Sequence, residues 1–130
     1  MQTTGMVLLF NSIFVFFGAG LGGCARYWFS LIFGHASIFS FSLAILSVNV
    51  LGAFLAGVMA VVFAGATKTP FFLCVVTGFL GGFTTFSAFT FEGMKLLQAQ
   101  PLMALGHAAM HVLGCLFAFY VGSKTALWAT

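Results

Sequence analysis

A single-domain bundle of four membrane-spanning helices is the fold this sequence predicts, and three observations carry the prediction. Only 4% of its 130 residues are charged while 62% are hydrophobic, against roughly a quarter charged in a soluble domain. The apolar residues gather into four blocks, each able to supply the about 20 residues that a helix needs to cross the hydrocarbon. Short polar stretches separate the blocks, and connections of that length force neighbouring helices to be antiparallel. An all-α integral membrane protein is expected, with the lipid bilayer as its solvent and residues 1–130 as one transmembrane domain.

The first span covers about residues 6–33 and contains Arg26. No Lys or Arg precedes Arg26, whereas a secretory signal opens with a positive segment, so this block is expected to be retained. A helix this long either tilts or leaves the membrane near Arg26, with Tyr27 and Trp28 as interfacial anchors. Residues 34–40 turn the chain into a second span at about 41–66. The next loop holds Lys68 and Pro70, and proline is suited to the first helical position. The third span, about 70–91, closes on Glu92, Gly93 and Lys95. The fourth, about 101–122, starts at Pro101 and is followed by Lys124 and Trp128.

Small residues recur at helical spacing, Gly18 with Gly22, Ala19 with Gly23, Gly52 with Ala56 and Gly78 with Gly82. Such pairs let helices approach closely in lipid. Four spans make a thin structure, and polar residues on several of them need shelter, so an oligomer is expected. The charges bear on its symmetry. Lys68 and Lys124 fall on one side of a four-span chain, Arg26 and Lys95 on the other. Orientation follows the Lys/Arg bias between short loops, and here there is none, so insertion both ways and an antiparallel dimer are open; the alternative is that helix order or a partner fixes one orientation.

The third span carries the unusual chemistry. Residues 78–91 interleave five phenylalanines with glycines, three threonines and Ser87. Paired glycines at 81 and 82, each costing a helix about 1 kcal/mol relative to alanine, stand before β-branched Thr84 and Thr85 and favour a break. Broken backbone is tolerated at membrane depth only inside protein or beside a watery cavity, and its freed carbonyls suit a cation. Phe79, Phe83, Phe86 and Phe89 follow helical spacing, which packing alone explains. The hydroxyls beside them favour a second role, because a phenyl ring has a positive edge that an anion can approach.

Other spans add to this set. Asn49 sits mid-span, where an amide is costly unless hydrogen-bonded; it either joins helices or donates to a path. His107, His111 and Cys115 share one helical face, as pore lining, interhelical hydrogen-bonding groups or two metal ligands, although no further intramembrane ligand completes a metal set. Arg26, always protonated, suits a pore mouth or a snorkelling anchor. Glu92, the single acidic residue, reads as a cap or interfacial contact rather than a proton carrier. The cysteines read as small buried hydrophobes.

The segments GAGLGGCARYW at 18–28, NVLGAF at 49–54 and GFLGGFTTFSAF at 78–89 resemble the small bacterial fluoride channels called Fluc, or CrcB-type, over most of the chain. The resemblance implies a dual-topology antiparallel homodimer in the bacterial inner membrane, with two fluoride paths and a structural Na⁺ at the dimer centre. It implies backbone carbonyls of Gly81 and Thr84 as Na⁺ ligands, Phe86 and Phe89 as ring-edge fluoride contacts, Asn49 as a pore donor, Thr85 and Ser87 as hydroxyl lining, and Arg26 at the aqueous vestibule. His107 and His111 complete the expected fluoride path. Two departures stand out: Ala88 where the family commonly has Thr, and the His107, His111, Cys115 face where its fourth helix usually offers Tyr and Ser or Thr.

A passive fluoride channel relieving fluoride toxicity is the function expected. A small dual-topology drug exporter, which needs a carboxylate within a helix, and a non-transporting scaffold are the competitors. No nucleophile, base and acid occur together, so no enzyme is expected. The formal charge of +3 comes from scattered residues rather than a patch, which gives no basis for nucleic acid, and no protein substrate is expected either.

Overall fold

The computed structural model describes residues 2–33, 37–38 and 41–129, and among them four helical stretches are long and apolar enough to cross a bilayer: Gly5–Phe33, Leu43–Val62, Pro70–Ala99 and Pro101–Ala129. The 20 residues of the second rise about 30 Å, the thickness of the hydrocarbon. The other three have 29 or 30 residues and overshoot it by about 14 Å, so they tilt or carry their ends into the headgroups.

Helix α1 (Gln2–Phe33) runs through Arg26 without interruption. A short antiparallel pair follows, β1 (Ser37–Ile38) with β2 (Phe41–Ser42), Ser37 opposite Ser42; the rest of the turn expected at 34–40 lies outside the described residues. Helix α2 (Leu43–Val62) ends before a turn in which Gly65 takes φ +84°, a conformation that glycine enters without a Cβ penalty. Thr69 then caps the next helix, its hydroxyl accepting from the Phe72 N–H at 3.2 Å, and Pro70 takes the first turn, as its missing N–H allows.

The third span is composite. A short α3 (Pro70–Phe72) leads into a π-helical segment, Leu73–Leu80, and then α4 (Gly81–Phe83). Thr84 and Thr85 are extended, with ψ of 158° and 114°. Helix α5 (Phe86–Ala99) follows. This corrects two expectations. The interruption lies not at the paired glycines, which are helical, but at the β-branched threonines after them. Helical backbone also continues past Glu92 to Ala99, so the acid sits inside a helix. Gln100 alone joins α5 to α6 (Pro101–Ala129). Its N–H donates to the Leu96 carbonyl at 2.6 Å, and its own carbonyl accepts from Met103 and Ala104 at 2.9 and 3.1 Å.

Packing divides into two helix pairs, α1 against the π-helical segment and α4, and α2 against α6. Glycines set both seams. A Cβ at Gly18 or Gly22 would run into the backbone of Cys74 or Phe79, and one at Gly82 into that of Ala19. In the second seam, Gly57 faces the backbone of Phe119 and Gly122 that of Phe54. Gly23, expected to act with Ala19, faces open space. With apolar side chains such as Phe16, Phe17 and Leu116 left on the outside, the interior is small, and among the described residues its two largest fully buried side chains are Val48 and His107. A deeply buried imidazole in so apolar a chain directs attention to what surrounds it.

Candidate functional site

The break releases carbonyls that an unbroken helix would have paired four residues on. Their partners can be accounted for one by one. Leu80 C=O accepts from both the Thr84 N–H, at 3.0 Å, and the Thr84 hydroxyl, at 2.9 Å. Gly82 C=O accepts from Arg26 Nε at 3.1 Å. The Thr85 N–H, which would have served Gly81, donates instead to Asn49 Oδ1 at 2.8 Å, so the Gly81 carbonyl has lost its helical donor at an exposed position.

Asn49 closes the other half of the clasp, its Nδ2 donating to Thr85 C=O at 3.0 Å. The side-chain amide thus pairs with both backbone groups of one extended residue, as a neighbouring strand would. Asn49 thereby links α2 to the third span, and one N–H of its Nδ2 is left over. Thr85 then starts the next helix, its hydroxyl accepting from the Ala88 N–H at 3.2 Å and lying 3.2 Å from Ser87 Oγ. An N-cap of this kind is worth about 1 kcal/mol.

Two cavities flank the clasp. The larger, about 550 Å³, is lined by Asn49, Gly81, Thr84, Phe86, Phe89 and His111 among others. The smaller, about 390 Å³, is lined by Arg26, Tyr27, Ser30, Val48 and Thr85. Thr85 lines both, so the extended residue is the partition between them. Arg26 is half-buried and held by Gly82, which places its guanidinium on the wall of the smaller cavity rather than free at the lipid boundary. Ser87 and His107 line neither.

An aromatic cluster forms one wall of the larger cavity. The Phe86 and Phe89 rings lie 5.3 Å apart, and Phe89 is covered by His107 at 5.0 Å, stacked, and His111 at 4.7 Å. Phe86 is 76% exposed, while His107 and His111 are 0% and 4% exposed. His107 Nε2 is 3.5 Å from Glu92 Oε2, and Glu92 Oε1 accepts from the Ser42 N–H at 3.2 Å. Glu92 therefore ties α5 to α6 and to Ser42, the residue of β2 that precedes α2. His111 Nδ1 is 3.1 Å from the His107 carbonyl, and Cys115, one turn on, also lines the larger cavity.

Sequence reasoning missed the Glu92–His107 contact and Phe119, which lines the larger cavity four residues beyond Cys115. Phe119 was recoverable, since it extends the same helical face. The Glu92 contact was not, because it depends on how far α5 runs before the Gln100 reversal. No group of three or more His, Cys, Asp or Glu among the described residues is placed to hold a metal ion.

Residues 13–123 match the family model described as CrcB-like protein, Camphor Resistance (CrcB). The chain is also similar to proteins named fluoride-specific ion channel FluC. One from Dechloromonas aromatica is 36% identical over 126 residues, covering 92% of this chain and 93% of that protein. Another from Burkholderia cenocepacia is 38% identical over 122 residues, covering 92% and 94%. A third from Granulibacter bethesdensis is 40% identical over 107 residues, covering 80% and 84%.

Proposed function

The chain belongs to the CrcB-like protein family, and from that premise we propose that it is a fluoride-selective channel, not an enzyme, through which fluoride leaves the cell passively. The observation that carries the proposal is the clasp: a broken third span whose extended residue, held by Asn49, divides a cavity bearing Arg26 from one bearing Phe86, Phe89 and His111. Fluoride gathered by the guanidinium passes weak donors, namely the Thr85 hydroxyl, backed at 3.2 Å by that of Ser87, and the spare Asn49 N–H, and then the positive edges of Phe86 and Phe89. Contacts of this kind offset the dehydration of a small anion only at close range, which disfavours chloride.

The working unit in this reading is an antiparallel homodimer in a bacterial inner membrane. Its support is the even division of the four basic residues between the two sides and the exposure of Phe86 beside the larger cavity, which a second copy would cover. A structural sodium ion at the dimer centre is part of the same proposal. The donor set fits it: Gly81 C=O has no helical donor, and Thr84 C=O belongs to an extended residue, so these two carbonyls from each copy would hold a hard cation. Such an ion supplies a fixed positive charge between the broken spans.

Fluoride efflux from vesicles containing the purified protein, followed with a fluoride electrode, tests the proposal. Rapid fluoride release with no comparable chloride release is expected. Equal release of both ions, or none of either, would refute it.

A further inference from the structure

The two histidines of α6 are not equivalent, and the difference lies in their hydrogen bonds. His111 Nδ1 lies 3.1 Å from the His107 carbonyl oxygen. A carbonyl only accepts, so the Nδ1 of His111 carries a hydrogen. The ring is 4% exposed and lines the larger cavity, and its remaining nitrogen, Nε2, is buried without a hydrogen-bond partner. In the neutral ring this nitrogen is therefore a bare lone pair, which no anion approaches favourably. On protonation it becomes an N–H donor bearing positive charge. The same ring lies 4.7 Å from Phe89, within the range at which a cation acts on an aromatic ring.

We propose that His111 is a specificity-determining residue of this chain that makes fluoride occupancy of the larger cavity proton-linked, the anion entering beside Nε2 when a proton from the aqueous phase is on that nitrogen. The proposal rests on the fluoride-channel reading above. The titratable and charged groups around His111 are His107 and Cys115 on its own helix and Glu92 on α5, with Lys95 three residues on; α2, the other helix packed on α6, contributes none. Glu92 is engaged by Ser42 and His107, which leaves His111 as the group that can gain a donor at the cavity. Lower pH thus raises fluoride transport. While the ring is mostly neutral, each unit fall in pH raises its protonated share up to about ten-fold, and a several-fold rise in rate between pH 7.5 and 5.5 is the effect expected.

Fluoride efflux from protein-containing vesicles is measured at matched inside and outside pH across that range. Protein-free vesicles are subtracted at each pH, because hydrogen fluoride itself crosses lipid. The wild-type rate is expected to rise several-fold as pH falls, His111→Gln to give a flat profile, and His107→Gln to keep the slope. In parallel, fluoride added to the purified protein in weak buffer near pH 7 is expected to draw protons from solution, and not to do so in His111→Gln. A flat wild-type profile, or a slope or proton uptake that survives His111→Gln, overturns the inference while leaving the channel reading standing. Absence of fluoride efflux at every pH overturns both.

Discussion

At the scale of single residues, Asn49 and Phe86 separate structure from transport. Asn49 was legible as a costly mid-span amide in need of partners, but not as the clasp of Thr85, because the partner is a backbone unit that becomes available only once the third span is broken. Asn49→Ala leaves both the N–H and the C=O of Thr85 without their partner. An unsatisfied buried polar group costs about 1–3 kcal/mol, so this variant is expected to unfold at clearly lower temperature in detergent as well as to lose fluoride efflux. A melting profile matching wild type would show that water or another group replaces the amide. Phe86 is the contrasting case, with 76% of its surface uncovered in the protomer. Phe86→Ile should leave the protomer's folding intact and lower efflux roughly ten-fold or more, the equivalent of about 1.4 kcal/mol in a barrier. Wild-type rates in this variant would remove the ring edge from the path.

At the scale of elements, the presence of four apolar helices was readable from hydropathy, and the break from composition, yet its position was off by a few residues for a physical reason. Glycine is poor in helices but does not itself end one, and here Gly82 is helical while serving as a contact point, because the α1 backbone at Ala19 occupies the place a side chain would take. Threonine ends the helix instead. Thr84 returns its hydroxyl to Leu80 C=O, and Thr85 caps α5. Thr85→Val keeps the backbone bonds to Asn49 while removing the cap and one hydroxyl of the partition between the two cavities. It is expected to cost about 1 kcal/mol of stability and a larger share of transport, read as a small shift in melting against a several-fold fall in efflux. Equal losses in both would make the hydroxyl structural only. The α2–α6 seam responds differently: Gly122→Val drives a side chain into the Phe54 backbone, and overpacking costs typically about 1–3 kcal/mol, so its expected signature is reduced thermal stability without any change in ion selectivity.

At the scale of the whole molecule, the chain's few charges decide how it lies in the membrane. The helix order puts the loop bearing Lys68 and the end bearing Lys124 on one side, with the ends of α1 and α5, carrying Arg26 and Lys95, on the other. Arg26 is engaged by Gly82, and the Lys95 ammonium lies 4.3 Å from the centre of the Phe91 ring, but neither interaction removes a charge, so the balance read from sequence persists in the fold. What the sequence left open, whether helix order or a partner overrides that balance, depends on insertion rather than on packing. If the balance permits both orientations and function needs one chain of each, then biasing every copy the same way must abolish function. Thr67→Lys with Lys95→Gln places three basic residues on the Lys68 side and one on the other, while Lys68→Gln with Gln98→Lys does the reverse. In cells lacking their own fluoride export, each double variant alone is expected to leave growth fluoride-sensitive, because loops with excess Lys and Arg stay cytoplasmic. The two expressed together should restore resistance, since opposite orientations are again available. Resistance from either double variant alone would rule out the antiparallel pair, because one orientation would then suffice.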